Sequence, residues 1–583
     1  MDWGPDRWRL YGLALKEAGR AVRGRAACST ARFRAPVPKR LLFAPQDLRT
    51  ADPTVATDIY GGFFVFAGRP LATGGRSPFE FMPLSQAWGE ALYGFGWIRH
   101  LRAAGTALAQ ANARSLVDEF ISTRGGHQPV AREPSVVARR LISFISQSPF
   151  VLEGADHAFY GRFLRALGRS VRDLEKAAHC HALPQGRLMA AVGLCYAGLC
   201  CEGLDGALKR GTRHLARELR EQILPDGGHA SRNPRVLIDL LFDLLPLRQM
   251  FASREVDTPE ALYRAIDRML PMVRLFRHGD GTLSHFNGMG VTAADHLATL
   301  LMYDDMRSQP IHHAPHSGYE RLEAGKALVV ADVGAAPPVR HSAEAGAGCL
   351  SFEFSSGRQR IIVNCGLPRT VGESVARASR STAAHSTVAV GDESCCRFLE
   401  PRGWWLDRAI SGWLTRRLGP VVLSGPAAVA AERSEEGGVQ SVAARHDGYR
   451  RHGLTLERRW RLDAAGERLE GEDLFHRQGT AAEAEAVLRF HLAPGIRTSR
   501  GESGRAVTLT LPDDETWAFE TSTGDVAIED SVFFSAVNGS RRTEQIVLRV
   551  NTAALPEVRW RFERASGKNL AAARRSETAP EPA

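Results

Sequence analysis

In the string RASRSTAAHSTVAVGD, residues 377–392, His385 stands at the mouth of a β-rich segment with Arg377 and Arg380 just upstream. Histidine changes protonation near neutral pH and arginine holds anionic groups, so this set could move a proton beside a bound carboxylate. An edge histidine with two solvated arginines reads the string equally well. A second string, RHDGYRRHG at 445–453, sets His446 and Tyr449 among three arginines. Asp447-Gly448 is ordinary turn chemistry, whereas Tyr449 offers binding, proton transfer or a packed ring. Two Gly-punctuated loops add candidates. PDGGHASRNP at 225–234 brings His229 and Arg232 to a helix start, where a carboxylate or sulfate could bind or where the turn simply breaks a helix. HGDGTLSHFNGM at 278–289 offers Asp280, His285 and Asn287, either as the wall of a cleft or as an interhelical loop.

Other chemistries lack their residues. HHAPH at 312–316 and the adjacent pairs Cys200/Cys201 and Cys395/Cys396 do not have the spacing of a metal-ligand set, so neither metal nor cofactor is expected. The nine cysteines are irregularly spaced, which makes reduced thiols the expectation. EAGAG at 344–348 is no phosphate loop, and a GxSxG nucleophile elbow is absent.

The elements that must position these loops change period once. From Phe81 to about Met302 helical spacing predicts eight or nine consecutive helices, including 135–147, 156–178, 186–202 and 206–224, with another starting at Thr258-Pro259. The clearest is 233–250, with Asn233 as N-cap, Pro234 at the first position, an apolar stripe through Val236, Leu237, Leu240, Leu241 and Leu244, and a kink expected at Pro246. Helical hairpins packed side by side follow. Beyond Ser317 come β-rich segments at 327–333, 349–355, 360–365, 386–390, 454–462, 486–492, 506–512, 531–537, 545–550 and 558–563. Some ten strands without intervening helices imply a large antiparallel sandwich. The expected organisation is a basic extension at 1–50, a helical domain at 51–316, a sandwich domain at 317–566 and a disordered tail at 567–583.

Of the 583 residues, 75 are Lys or Arg and 65 are Asp or Glu, a net +10 that favours anionic partners without choosing among them. Nucleic-acid binding rests on this excess alone and is not expected. No run of 18 apolar residues predicts a membrane-spanning helix. The amphipathic stretch near Trp8–Val22 suits either a membrane surface or packing on the main body. Lys16, Glu17 and Arg20 interrupt the N-terminal apolar residues, so no signal peptide is read and the cytoplasm is the expected location.

In their order along the chain, DGGH (226–229), FNG (286–288), SGYERL (317–322), LSFEFSSGRQRIIVNCG (350–366), STAAHSTVAVGD (381–392) and HDGY (446–449) resemble the heparinase II/III family of polysaccharide lyases. The resemblance covers roughly residues 55–565. It implies an α+β multidomain chain, with an incomplete (α/α) toroid followed by an antiparallel β-sandwich. The activity it implies is β-elimination on a uronate-containing acidic polysaccharide: the carboxylate is neutralised, a base takes the C5 proton and an acid protonates the leaving O4. His385 then resembles the histidine of an HNT-like strand motif and would neutralise the carboxylate or shuttle the proton. Tyr449 would be the acid or base, and His229, Arg380, His446 and Asn287 would bind substrate. A periplasmic or envelope location is implied as well.

Three positions depart from that pattern. Gln185-Gly186 stands where the family often has Asn-His, Val236 or Leu237 where a toroid tyrosine is expected, and Gly346-Ala347-Gly348 in place of a His-Ala-Asp signature. These departures imply the alternative: a non-catalytic glycan-binding or envelope polysaccharide assembly protein that keeps the groove without the proton-transfer set.

Overall fold

A computed structural model of the chain describes residues 4–30, 35–123, 128–181, 183–304, 308–368, 372–477 and 484–565; the tail expected at 567–583 lies outside them. Helices begin where capping chemistry allows. The Asn233 side chain accepts the Arg235 N–H, Pro234 takes the first position, and the helix Pro234–Ser253 runs on through Pro246 with Leu240, Leu241, Leu244 and Leu245 buried. Asp156 caps His157–Cys180 in the same way through the Phe159 N–H.

Eleven helices lie between Gln86 and Met302, more than the apolar period predicts, because Ile98–Ala104 and Ser148–Leu152 are too short to show one. A small hairpin, Phe63–Phe66 with Arg69–Ala72, precedes them and was not foreseen. Neighbouring helices approach closely at glycine. A β-carbon on Gly198 of Pro184–Cys200 would stand 2.4 Å from Leu208 Cβ in the next helix, Asp205–Gln222. The helical hairpins form an incomplete (α/α) toroid around one apolar core.

The strands form two facing antiparallel sheets. One has eight strands, running from Val429–Glu436 through Val439–His446, Leu454–Leu462, Arg468–Arg477 and Glu557–Arg564 to Thr516–Thr521, Ala506–Thr510 and Arg497–Arg500. The other has nine, with Glu485–Leu492, Gln359–Val363, Phe352–Ser356 and Ala327–Asp332 at its centre. Alternate residues of the two fill the space between: the Phe352 and Trp560 rings stack at 5.4 Å and Phe490 meets Trp560 edge-on at 5.0 Å. Within this apolar layer Arg458 pairs with Asp473 at 2.7 Å, and Trp560 Nε1 donates to the same carboxylate at 2.9 Å. The strands were expected to follow one another without helices, but the helices Glu373–Ala378 and Trp405–Leu418 interrupt them.

The second of these has a purpose in packing. It shelters the N-terminal helix Arg7–Thr30, whose Leu10 is buried against Leu399, Leu414 and Leu418. Glu17, fully buried, receives Arg20, Arg340 and Arg417, and this held charge draws its carboxyl down to about 2 against the cost of burial. Trp8, Leu15 and Val22 stay exposed on the other face. The expectation of reduced thiols fails at one pair: Cys28 of this helix and Cys180 form a disulfide, Cα–Cα 6.1 Å, across 152 residues of sequence. Among the described residues no helix is long and apolar enough to cross a membrane.

Candidate functional site

The toroid meets the sandwich through Arg232, which holds a left-handed backbone at φ 59° in the loop before Pro234–Ser253. Its guanidinium donates to the carbonyls of Ser317 (2.6 Å), Gly318 (2.9 Å) and Ala335 (2.8 Å) and pairs with Asp332. Burial opposes its charge most strongly, but Asp332 and Tyr319 together outweigh it and raise the pKa above the ordinary arginine value. Asn287 donates to Tyr319 Oη at 2.8 Å and to Asp332 at 3.1 Å, and Tyr319 in turn donates to the Arg232 carbonyl at 2.6 Å. These residues come from both halves of the chain and fix the floor between them.

Above that floor is a cavity of about 10 Å³, lined in part by His285, Asn287, Glu344, Gly346, Arg380 and His385. His385 follows the short turn Thr382–Ala384, and its Nδ1 donates to the Ser381 carbonyl at 2.7 Å. Burial lowers its pKa, so the ring is neutral and presents Nε2 as an acceptor, with no protein partner for that nitrogen among the described residues. Its position depends on the glycines that replace the expected His-Ala-Asp. A β-carbon at Gly346 would come within 2.7 Å of His385 Nε2, and one at Gly348 within 2.5 Å of Cδ2.

The other side chains are already engaged. Arg380 donates to the carbonyls of Ala345 (2.8 Å) and Ser342 (3.1 Å) and covers the Phe398 ring at 4.2 Å; burial brings its pKa down to about 10. Glu344 accepts from Asn233 at 2.9 Å and from Arg235 at 3.0 Å. His285 lies against the buried carboxylate of Glu353 at 3.2 Å.

Three of the expected residues do not line this cavity. His229 is buried between Ser231 Oγ (2.7 Å) and Gln222 Oε1 (3.3 Å), and burial lowers its pKa to about 3. His446 accepts the Gly448 N–H at 2.9 Å and is likewise held down, to about 4. Tyr449 is fully buried in the sandwich core and donates to the Val388 carbonyl at 3.0 Å, its pKa raised by burial. The structure therefore brings His385, Arg380 and Asn287 to one cavity and places His229, His446 and Tyr449 outside its lining. Glu344 is a charged lining residue absent from the expected set; it opens the EAGAG string, whose pattern speaks only against a phosphate loop.

The arrangement offers one free imidazole lone pair in a space that holds about one water molecule. The departures from the lyase pattern persist in three dimensions. Gln185 is exposed, Gly186 packs on the His181 ring, and Val236 and Leu237 bring no hydroxyl.

Comparison with known proteins follows the same lines. Residues 306–561 match the family model described as Heparinase II/III-like, C-terminal. The chain is 32% identical over 551 residues to FtsZ-localized protein C of Caulobacter vibrioides, spanning 91% of this chain and 92% of that one. Among solved structures, that titled heparinase III superposes with a TM-score of 0.70 at 14% identity, covering 97% of this chain and 92% of the other. The heparan sulfate lyase HepC of Pedobacter heparinus gives 0.58 at 12% identity, covering 94% and 88%. At such identities these two structures establish the fold alone.

Proposed function

The chain belongs to the heparinase II/III family, and we propose that it is a non-catalytic member, an envelope-assembly protein that localises with FtsZ and does not cleave polysaccharide. The observation that carries this reading is how little space the cavity leaves beside His385. A sugar ring at an uronate C5 would have to reach His385 Nε2, yet the space beside it is about 10 Å³ and its arginine is bound to backbone carbonyls. Elimination also needs an acid for the leaving oxygen, and the buried hydroxyl of Tyr449 is turned to Val388. The name of the Caulobacter relative supplies the FtsZ part of the proposal.

The test pairs two assays on the purified chain. Co-sedimentation with FtsZ polymers, together with no unsaturated uronate from a panel of acidic polysaccharides, is the expected result. Absence from FtsZ pellets would remove the division-site assignment.

A divergent lyase is the second reading, favoured by the unpartnered Nε2 of His385. It requires the cavity to open on substrate. Unsaturated product that disappears in His385→Ala would establish it.

A further inference from the structure

The toroid contains a second cavity, of about 820 Å³, that shares no residue with the first. It opens among the helices Ala107–Ser122, Pro134–Ser146 and His157–Cys180. Its wall carries Arg132, Arg140, Arg169, Arg172 and Lys176 against a single carboxylate, Asp173. That carboxylate is taken by Arg172 at 2.9 Å.

Arg140 is the most buried of these cations. It is 7% exposed, donates to the carbonyls of Tyr93 (2.9 Å) and Ala131 (3.1 Å), and lies over the Phe120 ring at 4.8 Å. Burial lowers its pKa to about 10, and Asp173 is the one charge acting the other way. Among the described residues no carboxylate forms an ion pair with Arg132, Arg140 or Lys176. A positive field this poorly compensated in a concave, half-enclosed space raises the local concentration of anions.

Shape narrows the ligand. Arg169, Arg172 and Lys176 recur at i, i+3 and i+7 on one face of His157–Cys180, a row about 10 Å long. Val137 and Phe144 of the neighbouring helix Pro134–Ser146, with Ala166 of the cations' own helix, make an apolar floor. The volume lies in the range of small-molecule sites, about 300–1,000 Å³.

We propose that this cavity binds a small molecule bearing two or more phosphate groups on an apolar or aromatic body, a nucleoside diphosphate being the chemical type. The row of cations would span the phosphates, with guanidinium groups giving paired hydrogen bonds to their oxygens. The apolar floor would take the body. This site is independent of the reading of the His385 cavity.

Calorimetric titration of the full chain with inorganic pyrophosphate, ADP and a sulfated disaccharide tests it. ADP is expected to bind saturably, at least about fivefold tighter than pyrophosphate, and to weaken as salt is raised. The double variant Arg172→Gln/Lys176→Gln should weaken ADP binding at least about tenfold while its melting temperature without ligand stays that of the wild type, because the Arg172–Asp173 pair is exposed. The single variant Lys176→Gln, at an exposed position, should show part of that loss and guards against misfolding of the double. No binding of ADP at about 1 mM, affinity unchanged in both variants, equal affinity for pyrophosphate, or tighter binding of the sulfated disaccharide would each overturn the proposal.

Discussion

The imidazole of His385 packs so closely on Gly348 that a β-carbon at residue 348 would stand 2.5 Å from its Cδ2. The glycines at 346 and 348 thus leave the room that the ring occupies. Gly348→Ala should destabilise the protein by about 1–3 kcal/mol, as overpacking does in a well-filled core. Urea unfolding of this variant, of His385→Ala and of the double should show a double less destabilised than the sum of the singles, because removing the ring removes the clash. Additive losses would mean that residue 348 and the ring do not meet.

Arg232 joins the toroid to the sandwich by its bonds to Asp332 and four carbonyls, those of Ser317, Gly318, Gly334 and Ala335. Arg232→Met leaves Asp332 buried with its charge and should cost about 3–5 kcal/mol, whereas Arg232→Met/Asp332→Leu should recover part of that loss. Chemical denaturation of the three proteins, followed by tryptophan fluorescence, makes the comparison.

Much of this was legible along the chain, and what was not has a local cause. Asn233 and Pro234 announce their helix because capping is decided within three residues. The strand Arg468–Arg477 was missed because two of its inward positions are Gly471 and Asp473, which hide the alternation that Leu469 and Phe475 begin. His385, Arg380 and Asn287 were marked as candidates by residue type, and they do converge. Tyr449 carried the same kind of mark, but its partner, the Val388 carbonyl, is 61 positions away and no spacing rule reports it. The Arg232–Asp332 pair, 100 residues apart, was invisible for the same reason.

Acid should weaken the fold through its buried neutral histidines. The folded pKa of His446 is about 4, below the ordinary 6.5, because burial disfavours its charged form. Between these values the unfolded chain binds a proton that the folded site refuses. Stability is therefore full above about pH 6.5 and falls by about 1.4 kcal/mol per pH unit for this residue on the way down to pH 4, below which the loss levels off. In His446→Asn the amide oxygen can still accept the Gly448 N–H, and it does not titrate. Its stability, measured by urea unfolding across this range, should decline with a slope smaller by that amount.

The Cys28–Cys180 bond pins the N-terminal helix to the toroid. Under non-reducing conditions alkylation of the unfolded chain should label seven of the nine cysteines, and a peptide pair joining Cys28 to Cys180 should appear by mass spectrometry. Reduction should cost about 2–4 kcal/mol of stability, through the long loop that it frees.

The measurement closest to the central claim follows the absorbance of the C4–C5 unsaturated uronate while the purified chain is incubated with heparan sulfate, alginate, hyaluronan and bacterial acidic exopolysaccharides. A non-catalytic protein with so small a cavity at His385 leaves the absorbance flat with every one of them. A steady rise with any polysaccharide, lost in His385→Ala at unchanged stability, would contradict the account and restore a lyase.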